Sequence, residues 1–426
     1  MKNKFNMHKK LGAAVLFVTV MLSACSCSIV SKIGDDKNSV FGKDKDNTGT
    51  ASAISDSSGE NSGKNEERFD YASADMKEYI KIDTSVCKNM QLSISSEYII
   101  TDENVDEYIE SLCFDKKVAV NEGKKVTNEP IKRGDTAYIF YKGTIDGKEF
   151  SGGSNMSSTT PHGLSIGSGS FIEGFEDGLI GVVPGETSAD NMVELKLKFP
   201  DSYGNKEYAG KDVVFNVYVL YTIQYTIPEF DESFIKDVLK YEAKTQDVVS
   251  EYKAYAKEYL ESQMQSYKDT AIENAMWEKL LDAATVIKYP EQEVTYYYDY
   301  YVSQFEYMMN YYQYMGYQFK DFNEFATQYM GLEDGADWRA ELNKECKKTV
   351  AQDLIFHAIA QFDNVQITDE EYEAEIQSYI DYYKSSGTTY TREKVIEEIG
   401  ESAIRETALY SKIVNGIIKD CEVSYN

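Results

Sequence analysis

The chain has 426 residues, 42% hydrophobic and 13% aromatic, more apolar surface than one ordinary core takes, so two or three folded units are expected. Its formal net charge of −28, from 72 Asp and Glu against 44 Lys and Arg, repels phosphate backbones and argues against nucleic-acid binding, ribosomal RNA included. The six Cys, at 25, 27, 87, 113, 346 and 421, show no metal-ligand spacing, which argues against a zinc site.

At the N-terminus, Lys2, Lys4, Lys9 and Lys10 precede an apolar run from Leu11 to Leu22 that is too short to cross a bilayer comfortably. It leads straight into Leu22-Ser23-Ala24-Cys25. These residues resemble the lipobox of bacterial lipoproteins, in which the Cys thiol takes a diacylglycerol. The resemblance implies that residues 1–24 are a lipoprotein signal peptide and that Cys25 is the lipidated mature N-terminus. The expected location is then the extracytoplasmic side of the cell membrane. A plain signal peptide with a chance Cys is the alternative. Processing would remove four Lys and no acid, leaving the chain more acidic still.

Residues 25–69 are rich in Ser, Gly, Asp, Asn and Lys and cannot bury enough surface to fold, so they read as a disordered tether. As a flexible coil it would reach roughly 35 Å. Residues 70–130 form a small α/β segment, with a strand-like stretch at Met90–Ile94 and a helix opening at Thr101, which can cap. Acids at Glu103 to Glu107 suit the positive end of that helix. Residues 131–225 change to short alternating runs broken by Gly, such as TAYIFYKG, NMVELKLKF and VVFNVYVLYTI, the pattern of an antiparallel sheet. Only Phe171–Leu179 looks helical within it. From 226 to 426 the pattern is helical, with the 3.6-residue spacing of Ile235, Val238, Leu239, then Tyr252, Tyr255, Ala256, Tyr259 and Leu260. Tyr289-Pro290, Gly316, Gly331, Gly335 and Gly387 punctuate it. Cys87 with Cys113 and Cys346 with Cys421 are candidate disulfides, with isolated buried thiols the equal alternative.

Within 131–225, five ordered blocks closely resemble the FKBP family, and within it the trigger factor branch. They are a strand with Tyr141-Lys-Gly143, the Asp146-Gly147 hairpin before Phe150, the stretch FIEGFEDGL, Pro200 to Gly204, and a last strand through Phe215. The resemblance implies an α+β protein, with an FKBP-like antiparallel half-barrel wrapped on a short helix. It also implies an aromatic pocket for a substrate proline, built from Tyr141, Phe150, Phe171, Ile172, Phe175, Tyr203 and Phe215. Ile172 would offer its backbone N–H to a substrate carbonyl, and Phe175 would be the pocket floor. Peptidyl-prolyl isomerisation suits such a pocket, because the barrier of ~18–20 kcal/mol comes from amide resonance. A dry aromatic site disfavours the planar, charge-separated amide and holds the twisted one. The reaction needs no cofactor, metal, nucleophile or proton relay. That agrees with a chain in which only His162 and His357 lie beyond the signal segment. Ser151 stands where many single-domain relatives carry Asp, which fits the trigger factor branch. Gly163-Leu-Ser165-Ile-Gly167 matches a hydrolase pattern by spacing alone, without the strand, elbow and helix that such a serine requires.

Thr226–Asp237 resembles the exit from the isomerase into the helical arms domain of trigger factors, and two later stretches resemble the arms themselves more loosely. These are VIKYPEQEVTYYYDYYVSQFEYMMNYYQYMGYQF and VQITDEEYEAEIQSYIDYYKSSG. Upstream, ISSEYIITDENVDEYIESL resembles the segment that precedes the isomerase. The resemblance implies an all-α, trigger-factor-like chaperone domain over 226–426. The G-F-R-x-G-x-x-P loop of ribosome-binding trigger factors has no counterpart before residue 130. Together with the lipobox, this sets the expectation of no ribosome contact. The expected partners are unfolded or folding exported polypeptides with X-Pro bonds, and the membrane through a lipid anchor. Tyr and Met are dense over 296–317, which suits either a helix packed on most sides or a client-binding cradle. Against an isomerase and chaperone stand two other readings. One is a non-catalytic holdase with a degenerate FKBP-like domain; the other is a surface lipoprotein that has borrowed the fold for adhesion.

Overall fold

The computed structural model describes residues 68–185, 192–205, 207–333 and 335–426. The expected signal peptide, Cys25 and nearly all of the expected tether lie outside them. The chain divides into two compact units, one of Ile99–Gln263 and one that joins residues 68–98 to Met264–Asn426. The 70–130 stretch, one piece by composition, contributes its first part to one unit and its second to the other.

Two short strands come first, β1 (Ile80–Lys81) and β2 (Gln91–Ile94), and both find partners far along the chain, at Thr285–Val286 and Glu422–Tyr425. The unit Ile99–Gln263 then opens with α1 (Asp102–Asp115). Thr101 caps it as expected: its Oγ accepts from the Asn104 N–H at 3.2 Å, and Asn104 Oδ1 accepts from the Thr101 N–H at 3.0 Å. After β3 (Val118–Ala119) and β4 (Lys125–Val126) come β5 (Thr136–Ile145), β6 (Lys148–Ser154), β7 (His162–Ser165), β8 (Met192–Lys198), β9 (Asp212–Ile223) and β10 (Tyr225–Thr226).

β5 and β9 form the long antiparallel centre of a six-stranded sheet, with β8 and β4 on β9 and with β6 and β7 on β5. Alternation sets the buried face. Ala137 and Ile139 on β5, and Val213, Phe215, Val217 and Val219 on β9, are buried at every second position. The β5–β6 hairpin turns on Asp146 and Gly147, both at positive φ (50° and 75°), as its two-residue loop requires.

The helix expected at Phe171–Leu179 is instead a run of hydrogen-bonded turns ending in one 3-10 turn, Asp177–Leu179. The reason is Gly174, whose φ of +84° departs from helical geometry. A Cβ there would stand 2.9 Å from the Leu197 side chain, and one at Gly178 would stand 2.5 Å from that of Leu195, so the glycines also let the turn lie close against β8.

The first part of α2 (Val248–Ala283) completes this unit, where Lys253 and Lys257 pair with Asp106 and Asp102 of α1 at 2.7 and 3.0 Å.

In the other unit follow β11 (Thr285–Val286), α3 (Glu291–Tyr314), α4 (Phe322–Tyr329), α5 (Trp338–Phe362), α6 (Asp369–Ser385), α7 (Arg392–Ile399), α8 (Glu401–Lys419) and β12 (Glu422–Tyr425). Gly316, Gly331 and Gly387 follow the ends of α3, α4 and α6, each at positive φ. The centre of this unit is α5, buried almost continuously from Thr349 to Phe356 and packed by α3. β1 pairs with β11, and β2 pairs in parallel with β12, Gln91 opposite Glu422. A smaller cluster of Tyr372, Ile376, Val395, Ile399, Ala403 and Ile404 unites α6, α7 and α8. Cys87, Cys113, Cys346 and Cys421 are all free thiols, so neither candidate disulfide is formed.

Candidate active site

The seven expected pocket residues sit on different elements of one unit. Tyr141 is on β5, Phe150 on β6 and Phe215 on β9; Phe171, Ile172 and Phe175 are in the turn region before the 3-10 turn, and Tyr203 is in the β8–β9 connection. The fold gathers all of them except Tyr203 into one cluster. Phe175 is fully buried at the bottom, 4.2 Å from Phe171 and 5.1 Å from Phe215 between ring centroids. Tyr141 stands edge-on to Phe171, Phe175 and Phe215 at 5.3, 6.1 and 6.2 Å. Such edge-to-face rings fix a shape as well as bury area. Burial raises the Tyr141 phenol above its ordinary pKa, so the hydroxyl remains a neutral donor at physiological pH.

Phe150 closes the other side, 6.2 Å from Phe215. The backbone makes room for it. A Cβ on Gly143 would lie 2.5 Å from the Phe215 ring and 2.9 Å from that of Phe150, and one on Gly153 would lie 2.6 Å from Phe150. Tyr203 reaches the cluster through Phe199, at 4.6 Å.

Several contributors escape the sequence reading. Phe199 and Tyr208 pack on Phe150 at 5.8 and 5.0 Å, and His162 lies 5.6 Å from Phe171. Phe199 and Tyr208 could have been found from their place in the FPDSYGNKEYAGK block; nothing in the local sequence marks His162. Asn155 fixes the backbone of β5 beside the pocket: its Oδ1 accepts from the Tyr141 N–H at 2.6 Å and its Nδ2 donates to the Ile139 carbonyl at 3.2 Å. The buried Glu176 carboxylate shapes the approach to Phe171 by accepting from the N–H groups of Gly167, Gly169, Ser170 and Phe171 at 2.7, 3.1, 2.8 and 3.3 Å.

Those bonds end at Phe171. The next N–H, that of Ile172, has no acceptor among the described residues, while the Ile172 carbonyl accepts from Phe175 at 3.1 Å. The arrangement is a partly buried cluster of rings that includes Ile172, whose N–H has no acceptor among the described residues. It can bind an apolar ring by shape and a carbonyl by hydrogen bond. It holds no nucleophile beside a base, and no group of His, Cys, Asp and Glu among the described residues is placed to hold a metal ion. An open groove of about 620 Å³ in the other unit, lined by Lys77, Ile80, Lys81 and Phe362 among others, has no comparable set of rings.

Two family descriptions match the chain: "FKBP-type peptidyl-prolyl cis-trans isomerase" over residues 127–224, and "Bacterial trigger factor protein (TF) C-terminus" over 249–419. The trigger factor of Geobacillus kaustophilus (strain HTA426) is 31% identical over 327 residues, covering 76% of this chain and 69% of the relative. That of Shouchella clausii (strain KSM-K16) is 31% identical over 332 residues, covering 77% and 69%.

The chain belongs to the trigger factor family.

A solved trigger factor chaperone structure, on promiscuous substrate recognition in folding and assembly, aligns over 80% of this chain and 73% of that one, at 14% identity and a TM-score of 0.35. The FKBP-type match contains all seven expected pocket residues. The trigger factor C-terminal match starts in α2 and ends with the last residue of α8. The architecture is thus the expected mixed one, an FKBP-type sheet region followed by a helical trigger factor domain.

Proposed function

We propose that this trigger factor relative is a peptidyl-prolyl cis-trans isomerase and chaperone for exported polypeptides, working at the outer face of the membrane from a lipid anchor on Cys25. The observation that carries the isomerase reading is the ring cluster of Tyr141, Phe150, Phe171, Phe175 and Phe215 beside the uncommitted Ile172 N–H. A proline ring entering it would exchange water for aromatic faces, and the Ile172 N–H would hold the substrate carbonyl. Stabilising the twisted amide over both flat isomers accelerates a step that takes ~10–100 s unaided.

The chaperone part has its own support. On α3, Val294, Tyr297, Tyr301 and Phe305 form a buried stripe, whereas Tyr307, Tyr311 and Tyr314 in its last turns, and Met315 just after it, are exposed. Exposed Tyr and Met offer adaptable contact area to unfolded chains of many sequences. The export reading rests on the basic and apolar start and the lipobox-like Leu22–Cys25, and the strongly acidic chain without a ribosome-type loop agrees with clients met after translocation. A non-catalytic holdase is the second reading, favoured by Ser151 in place of an acid.

Proline-limited refolding of a model protein separates them. Wild type accelerates refolding, and Phe175→Ala with Tyr203→Ala abolishes the acceleration while circular dichroism stays native. Acceleration that survives the double substitution excludes pocket catalysis. Mass measurement of the mature N-terminus tests the anchor: a diacylglyceryl Cys25 is expected, and an unmodified one removes it.

A further inference from the structure

One imidazole stands among the rings of the pocket. His162 opens β7, paired with Ile139 of β5, and its ring lies 5.6 Å from Phe171 and 6.3 Å from Tyr141. Unlike Phe175 and Phe215 at the bottom, it is exposed. It is therefore on the Phe171 side of the mouth, next to the residue that precedes the free Ile172 N–H. Tyr203, the other exposed ring, is attached through Phe199 on the Phe150 side.

Imidazole is the one side-chain type in this cluster that can take up a proton to become a cation. The far end of the strand that His162 opens already meets a cation, Lys117, which donates to the Ser165 hydroxyl. From Phe150 to Ser165 the chain carries no other charged side chain. On β5 the nearest charge in sequence to Tyr141 is Lys142, which is paired with Glu149 of β6 at 2.5 Å. On the segment Phe171–Leu179 are Glu173 and Asp177, both exposed, and Glu176, already committed to four backbone N–H groups. In a chain of net charge −28, which repels acidic segments, a protonated His162 is a local cation at the mouth of the pocket.

We propose that His162 is a specificity-determining residue of the pocket. Protonated, it selects proline segments with Asp or Glu beside the proline, and the preference fades as the imidazole loses its proton. The inference rests on the isomerase reading.

The test uses the full chain and two short peptides that differ only in Glu or Leu before Pro, with kcat/KM measured by exchange NMR at pH 5.5 and 8.0. Both peptides keep their charge over this range. The Glu to Leu ratio of wild type is expected to fall about two- to fivefold with rising pH, the factor that one exposed ion pair supplies. In His162→Gln the ratio is low at both pH values, and in His162→Lys it is high at both. A wild-type ratio that does not move with pH, or one that still moves in His162→Gln, overturns the proposal. If neither peptide is accelerated, the isomerase reading fails by itself. The selectivity is then judged on the Kd ratio of the same two peptides, with the same expectations.

Discussion

The two units of this trigger factor relative use aromatic side chains in opposite ways. In Ile99–Gln263 the rings of Tyr141, Phe150, Phe171, Phe175 and Phe215 are held edge to face, with glycine backbone pressed against them at Gly143 and Gly153. In the helical unit, α3 buries one stripe and leaves Tyr307, Tyr311 and Tyr314 in solvent, Tyr314 at 87% exposure. Fixed rings define one shape and suit a single small ligand, whereas exposed rings on a helix surface define none and suit many. Composition alone does not separate these roles, but neighbours do.

The largest effect should come from breaking the fixed set. Gly143→Val places side-chain atoms inside the space of the Phe215 and Phe150 rings, and overpacking of this kind costs about 1–3 kcal/mol. Isomerase activity is expected to fall at least tenfold, with hydrogen exchange rising in the sheet unit and unchanged around α5. Retained activity would show that the ring geometry is not what matters.

Next in size is Glu176→Gln. The neutral amide loses the charge-assisted bonds to the loop before Phe171, at a cost of about 1–3 kcal/mol. KM should rise more than kcat falls, because the loop positions the Ile172 N–H; an unchanged KM would separate that loop from binding.

The helical unit offers a pH test. Asp353 is buried on α5, which pushes its carboxyl from 3.8 up to about 8, with Glu293 and Glu406 adding to the rise and the hydroxyl of Tyr297, donating at 2.7 Å, opposing it. The folded state therefore binds a proton that the unfolded chain releases. This contribution to stability is fully present below the ordinary carboxylate pKa, declines as pH rises through the interval, and is lost above about 8. Asp353→Asn should flatten that decline, seen as urea midpoints at pH 6 and 9 that lie closer together than in wild type. Equal slopes in both proteins would mean that Asp353 is not the group responsible.

The smallest stability effect belongs to the exposed rings. Changing Tyr307, Tyr311 and Tyr314 together to Ser is expected to shift stability by no more than about 0.5 kcal/mol per site. Suppression of client aggregation should nevertheless fall by half or more while peptide isomerisation stays at the wild-type rate. Unchanged suppression would move client binding off α3.

Much of the sheet unit was legible because local rules and fold agree there. Alternation marks β5 and β9, and Asp146-Gly147 takes the positive φ values that its turn demands. Helix ends in the other unit were marked by Gly316, Gly331 and Gly387. The helix expected at Phe171–Leu179 failed because Gly174 answers to a tertiary contact with Leu197 that no local pattern displays. The seven candidate residues were named from a family resemblance rather than from spacing; six of them share one cluster, and Tyr203 adjoins it through Phe199. Phe199, Tyr208 and His162 were missed because they enter the cluster from connections and a strand end, where sequence periodicity carries no information about direction. The pairing of Gln91 with Glu422 was equally invisible, since nothing local in either strand specifies so distant a partner.

That parallel pair also sets an order of events. Everything needed for Ile99–Gln263 is present once residue 263 has been made, with all of Met264–Asn426 still to come. The other unit, by contrast, cannot join β2 to β12 until Glu422–Tyr425 have been made. A chain released from its N-terminus would thus own a finished ring pocket well before its helical body could close.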